Sequence, residues 1–288
     1  MRLLGCSGYR QIARDLGISP TTVLRQTIRL GRHCLLFHER LRPKGPLREP
    51  IVVDGFETFE FSQYTPVHFH LGLGAHSHYL YAFTDSELRR KGRMTDAQRA
   101  RRPALERVYG RPDPRSIERE MGALLALVVP EKSRAEVLSD EHPAYPRALR
   151  RIEDRTIAHR TLSSRVARTP QNPLFPVNLA DLLIRHSSAN HKRETIAFSK
   201  RRQSAAERLW IFAVWRNYVK SFSERRRDAT PAQRLGVLAR RLGVEEILGE
   251  RLFPSRVVLP PRLQRYYDRE TPTRRIPNGC AYRRRLAY

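Results

Sequence analysis

The chain has 288 residues, 40% of them hydrophobic, which is enough for one large domain or two modest ones with a real core and too apolar for a disordered tail. Its 55 Lys and Arg against 29 Asp and Glu leave a formal net charge of +26, an excess that points to a polyanionic partner, nucleic acid first. The longest apolar runs, such as ALLALVV at 123–129, fall short of a bilayer span, and the N-terminus carries no apolar secretory segment, so a membrane partner is excluded and the cytoplasm is expected. Cys6, Cys34 and Cys280 lie too far apart for a close-spaced zinc motif and read as free thiols.

Residues 8–33, GYRQIARDLGISPTTVLRQTIRLGRH, predict two helices around a tight turn. Ile12, Ala13 and Leu16 recur at helical spacing, Gly17 suits a left-handed turn, and Ser19-Pro20 gives an N-cap followed by proline at the first helical position. The second helix is expected to bury Val23, Leu24 and Ile28 and to turn Thr21, Thr22, Arg25 and Gln26 outward, as a helix reading a DNA major groove would. The competing reading is an ordinary helical hairpin in a basic protein. The breaker-rich RPKGPLREP at 42–50 reads as a linker, giving a helix-turn-helix module at 1–41.

Strands are then predicted at Ile51 to Phe61, Val67 to Gly74 and Tyr79 to Thr84. A basic polar stretch follows, then a helix from Pro114 to Leu127, a strand AEVLSD ending at Asp140, and another from Thr156 to Leu162. From Asn178 to Arg226 neither proline nor glycine occurs, which predicts a long helix or two. The order describes a mixed α/β sheet with flanking helices over 51–226, followed by a basic extension at 227–288.

The acids at the strand ends are the candidate chemistry. Asp54 and Asp140 each close an apolar strand, and two neighbouring carboxylates repel unless a cation lies between them. Hard divalent ions such as Mg²⁺ (or Mn²⁺) suit that donor set and would activate a nucleophile at phosphorus. As a bland alternative, Asp54-Gly55 is a turn dipeptide and Asp140 a helix N-cap. A third acid is expected from the late helix, where Asp181 and Glu194 compete; about 220° apart on a continuous helix, they cannot share one site. Asp181 is preferred because Arg185, Ser188 and Lys192 share its face, a polar stripe suited to a phosphate backbone. His68, His70, His76 and His78 form two His-x-His pairs, read as a half-exposed hairpin before a metal site. Trp210, Phe212 and Trp215 read as core.

VVDGF, then LSDEHPAYPRAL, then NLADLLIRHSSANHKRETIAFSKRRQSAAERL, behind a helix-turn-helix, resembles bacterial insertion-sequence transposases of the DDE class. The resemblance covers most of residues 8–260. It implies an RNase H-like five-stranded core in which Asp54, Asp140 and Asp181 are the metal-binding catalytic acids, with aspartate standing where the family more often has glutamate. It further implies Mg²⁺-dependent cleavage and transfer of double-stranded DNA at element ends and target, assembly as a homo-oligomer on DNA, and a nucleoid-associated location. Thr21, Thr22, Arg25, Gln26, Arg185 and Lys192 are the expected DNA contacts. The rival reading is a decayed transposase or regulator that only binds DNA.

Overall fold

The computed structural model describes residues 1–192, 195–225 and 228–275. Helix α1 (Tyr9–Leu16) ends at Gly17, whose φ of 63° supplies the left-handed cap, and α2 (Pro20–Leu41) starts at Ser19, whose hydroxyl accepts the Thr22 N–H at 3.1 Å. Ile12, Ala13 and Val23 close a small core beneath this turn, while Leu16 stays about half exposed.

The second half of α2 does something the sequence does not announce. Cys34, Leu35, Leu36 and Phe37 belong to the main core along with the strands. At Gly31 the helix passes so close to α7 (Arg202–Val214) that a Cβ would sit 2.7–2.9 Å from Glu207, a spacing only glycine tolerates. The expected linker at 42–50 is likewise fastened. Arg42 makes a bidentate pair with Glu39 (2.8 Å) and donates to the Leu127 carbonyl, and Glu49 accepts from the backbone N–H groups of His76 and Ser77. The turn region and the sheet therefore share one continuous body.

Five strands form one sheet in the order β3-β2-β1-β4-β5: β1 (Ile51–Phe59), β2 (Pro66–Gly74), β3 (Leu80–Glu87), β4 (Arg134–Ser139) and β5 (Thr156–Thr161). The first three are an antiparallel meander, and β4 and β5 add in parallel beside β1. This is the mixed five-stranded α/β sheet expected of an RNase H-like core. Strands β2 and β3 are buried almost throughout, because helices cover both faces. On one face lies α4 (Ser116–Val128), with Leu124 and Val128 against Gly72 and the Glu120 carbonyl accepting from Thr84, and α5 (Ala144–Leu149) packs behind it. On the other lie α6 (Phe175–Ser187) and α7, where Phe56 and Phe69 meet His191 and Phe83 meets Trp210. Each fully buried aromatic contributes about 1.5–3 kcal/mol through area removed from water.

Three regions carry more detail than the sequence specified. The basic stretch after β3 contains a helix, α3 (Asp96–Tyr109), begun by a reciprocal Thr95–Gln98 capping box. The run at 178–226 forms two helices, as the sequence allowed: α6 ends at Ser187, a short turn covers Ala189–His191, and α7 begins only at Arg202 before widening into a π-turn at Trp215–Val219. The break is polar and internal, with Ser188, Asn190 and His191 buried and the Asn190 amide donating to Ser199. The described part of the basic C-terminal extension, residues 228–275, packs against the core. Its helices α8 (Pro231–Arg234), α9 (Val244–Gly249) and α10 (Pro261–Tyr267) bury Ala232, Ile247, Leu263 and Tyr266, and Arg269 pairs with Glu207 at 2.7 Å.

Candidate active site

Register is what brings the first two acids together. The β1–β4 ladder pairs Ile51 with Val137 and Val52 with Leu138, and Asp140 follows directly after the end of β4, which brings its carboxylate within electrostatic reach of Asp54. Asp54 does not close its strand as expected. Strand β1 runs on to Phe59 against β2, and Asp54 stands at the fork where β4 departs. Nor is Asp54-Gly55 a turn: Gly55 pairs with His70, and a Cβ there would collide with the Phe69 carbonyl and the His68 ring.

Alternation puts Asp54 on the face covered by α6 and α7, together with Val52 and Phe56. Burial pushes its carboxyl up to about 6, Asp140 adds to the push and Asp181 adds a little more, against the opposing pull of the Gly55 N–H and the Tyr145 hydroxyl, which donates to Asp54 at 3.3 Å. Asp140 is held at the start of the loop into α5 by the His142 N–H, which donates at 3.0 Å. Burial lowers the His142 imidazole despite the neighbouring Asp140.

Asp181 lies on the second turn of α6, within electrostatic reach of Asp54, and its carboxylate accepts from Arg185 Nε at 2.8 Å. Arg185 also donates to the carbonyls of His191 and Glu57 and stands over the Phe56 ring. Its guanidinium is thus turned into the structure, positioning Asp181, and does not face outward as a phosphate contact. Among the described residues no three His, Cys, Asp or Glu side chains lie close enough together to ligate one ion. The donor set that does fit a hard cation is the Asp54–Asp140 pair, since such an ion binds through one or two carboxylates and keeps several waters. The rival third acid, Glu194, lies outside the described residues.

The remaining sequence candidates sit elsewhere. Thr21, Thr22, Arg25 and Gln26 are exposed on the first turns of α2, with Thr22 also engaged by Ser19, and Lys192 is exposed after α6. His68 and His70 belong to the opposite face from Asp54, and His76 and His78 to the β2–β3 connection. His70 bonds Ser86 at 2.7 Å, its ring 4.5 Å from that of His68, while His78 packs against Phe222 and His76 is exposed. Tyr145 was not anticipated as a partner of Asp54. The HPAY run places it five residues past Asp140, on the first turn of α5, and that spacing is the signal that could have found it.

No helix among the described residues is long and apolar enough to cross a membrane. No family model matches the chain, and no curated protein matches it. Among solved structures, a chain in the cryoEM structure of a simian T-cell lymphotropic virus intasome in complex with PP2A regulatory subunit B56 gamma is 15% identical, with a TM-score of 0.28. The match covers 68% of this chain and spans 58% of the length of that one, and a score of that size leaves the fold to be argued from the sheet itself.

Proposed function

We propose that the protein is a DNA transposase that cleaves and transfers strands at phosphodiesters, with Asp54 and Asp140 as its central metal-binding acids. The observation that supports this reading is the Asp54–Asp140 pair: two carboxylates within electrostatic reach of one another where β1 and β4 part, with Asp54 half-buried and its carboxyl pushed up to about 6. A folded protein keeps such a pair at a cost, and a divalent cation is what relieves it. When bound, Mg²⁺ or Mn²⁺ would supply charge stabilisation and an activated nucleophile for in-line displacement at phosphorus. Asp54 and Asp140 would hold it, Tyr145 would orient Asp54 through its hydroxyl, and Asp181 would complete the set by exchanging Arg185 for the ion. The exposed Thr21, Thr22, Arg25 and Gln26 would read the element's ends, with Lys192 on the backbone and two copies assembled on the DNA.

The test is Mg²⁺- or Mn²⁺-dependent nicking of duplex DNA carrying the sequences that flank the gene. Cutting by the wild type, lost in Asp54→Asn while binding persists, supports the reading. Binding without cutting by the wild type sinks it in favour of a DNA-binding regulator. One observation favours that second reading: Asp181 is paired with Arg185 and not gathered with the other two acids.

A further inference from the structure

Residues 89–111, between β3 and α4, carry nine arginines and lysines against two acids, Asp96 and Glu106. No residue of α3 is buried, and Val108 is 71% exposed. Burial of apolar area does not hold this helix. It is held by its cap, by the bidentate Arg89–Glu106 pair (2.8 and 3.1 Å), and by Arg102 donating to the Arg90 carbonyl.

Its place in the fold gives it a use. Strand β3 runs in the same direction as β1, so the excursion leaves the sheet at the carboxyl edge, the edge where β4 ends in Asp140. Arg101 lies over the ring of Tyr64 in the β1–β2 connection, and Lys91 is within electrostatic reach of His142, whose backbone N–H donates to Asp140. Elsewhere arginines are consumed internally, as Arg202, Arg262 and Arg269 are by buried acids. Lys91, Arg93 and Arg107 are exposed and make no ion pair among the described residues.

We infer that residues 89–111 form a clamp on the DNA phosphate backbone, gripping the duplex where it meets the Asp54–Asp140 edge. The inference rests on the strand-cleavage reading for what the grip serves, and on charge complementarity for the grip itself. Contact is with phosphates, so it is insensitive to base sequence and strongly sensitive to salt.

The experiment measures binding of a fluorescent 30-base-pair duplex of arbitrary sequence against KCl concentration. Three proteins are compared: the wild type, Lys91→Ala with Arg93→Ala and Arg107→Ala, and Lys132→Ala with Arg134→Ala at the opposite edge of the sheet. Each replaced phosphate contact removes about one unit of salt slope, so the triple variant is expected to lose about three units and to bind roughly tenfold or more weakly at moderate salt. The opposite-edge variant is expected to keep the wild-type slope. A triple variant with wild-type slope and affinity overturns the clamp, as does an equal fall in the opposite-edge variant, which would mark a general charge effect. Wild-type binding without cleavage, with the slope lost in the triple variant, upholds the clamp while the cleavage reading fails. Absence of duplex binding by the wild type overturns both. Because α3 buries no residue, the triple variant is expected to melt as the wild type does, and a glutamine version of the same three changes serves as a second variant.

Discussion

Two groups of carboxylates share one face of the sheet and are treated in opposite ways. Around β3 and the end of β1, Glu60, Asp85 and Glu87 meet Arg202, Arg262 and Arg274; Arg202 alone reaches all three, at 3.5, 3.3 and 2.9 Å. Burial raises the Asp85 carboxyl, but Arg202 and Arg262 outweigh it and hold the group below its ordinary range. Glu60 is pushed up to about 7, burial exceeding the pull of Arg202. At the fork of β1 and β4, the charged groups that shift the Asp54 carboxyl most are acids, Asp140 and then Asp181. A chain with 55 basic residues could have supplied an arginine there, as it did for Asp85. Arginine fastens Asp85 into the fold, whereas no arginine pairs with Asp54 among the described residues, which on our proposal leaves that acid to a cation.

That contrast can be broken at several points. The largest expected effect is on cleavage: Asp54→Asn should reduce the Mg²⁺-dependent nicking rate by at least about 10⁴-fold, roughly 5.5 kcal/mol of barrier, as read by single-turnover assays. Next, Arg202→Met removes the shared partner of two buried acids, Glu60 and Asp85, and a half-buried one, Glu87, and should cost about 3–5 kcal/mol in urea unfolding, with Asp85 affected most. If Arg202→Met is neutral, the ionic cluster is not what stabilises this end of the sheet.

Asp54→Asn should have the reverse sign on stability. Because the folded carboxyl titrates near 6 and an unfolded one near 3.9, the native state holds its proton more tightly. Below about pH 4 both states are protonated and no penalty exists. As pH rises from about 4 to 6 the metal-free wild type loses stability, reaching about 3 kcal/mol, and the loss is then constant. Asparagine removes that penalty, so metal-free Asp54→Asn should unfold at higher urea than the wild type at pH 8 and at similar urea at pH 4. Slightly smaller is the effect of the ion: Mg²⁺ at 100 times its dissociation constant should stabilise the wild type by about 2.7 kcal/mol, and the Asp54→Asn protein by far less. The smallest effect is that of Arg185→Gln, which breaks a partly exposed pair with Asp181 and should cost about 1 kcal/mol or less by thermal melting. A larger cost would mean that Arg185 serves the fold mainly through its bonds to the His191 and Glu57 carbonyls.

Much of the sheet was legible because its signals are local. Apolar runs bounded by turn residues mark β1, β2, β3 and β4, and the Ser19–Pro20 and Gly17 caps mark the helical turn. Asp54 and Asp140 were legible because each follows an apolar run that could pair in parallel. What escaped depends on partners distant in sequence. The break between α6 and α7 needs no proline or glycine, since buried Ser188, Asn190 and His191 turn the chain through tertiary bonds. Arg185 was read from helical periodicity as facing phosphate. Its long side chain instead curls back to Asp181 and two carbonyls, an outcome that spacing along a helix cannot distinguish.

Helix α2 has one end in the small cluster under Gly17 and the other in the main core, clamped midway by the close passage of Gly31 over Glu207. At about 1.5 Å per residue it is a spar of some 33 Å, roughly the rise of ten base pairs. A single residue inserted beyond Leu30 would swing Thr21, Arg25 and Gln26 about 100° around the axis relative to Asp54, so the distance and phase between the outer surface of α2 and the acid pair behave as a fixed ruler, cut to length by one glycine.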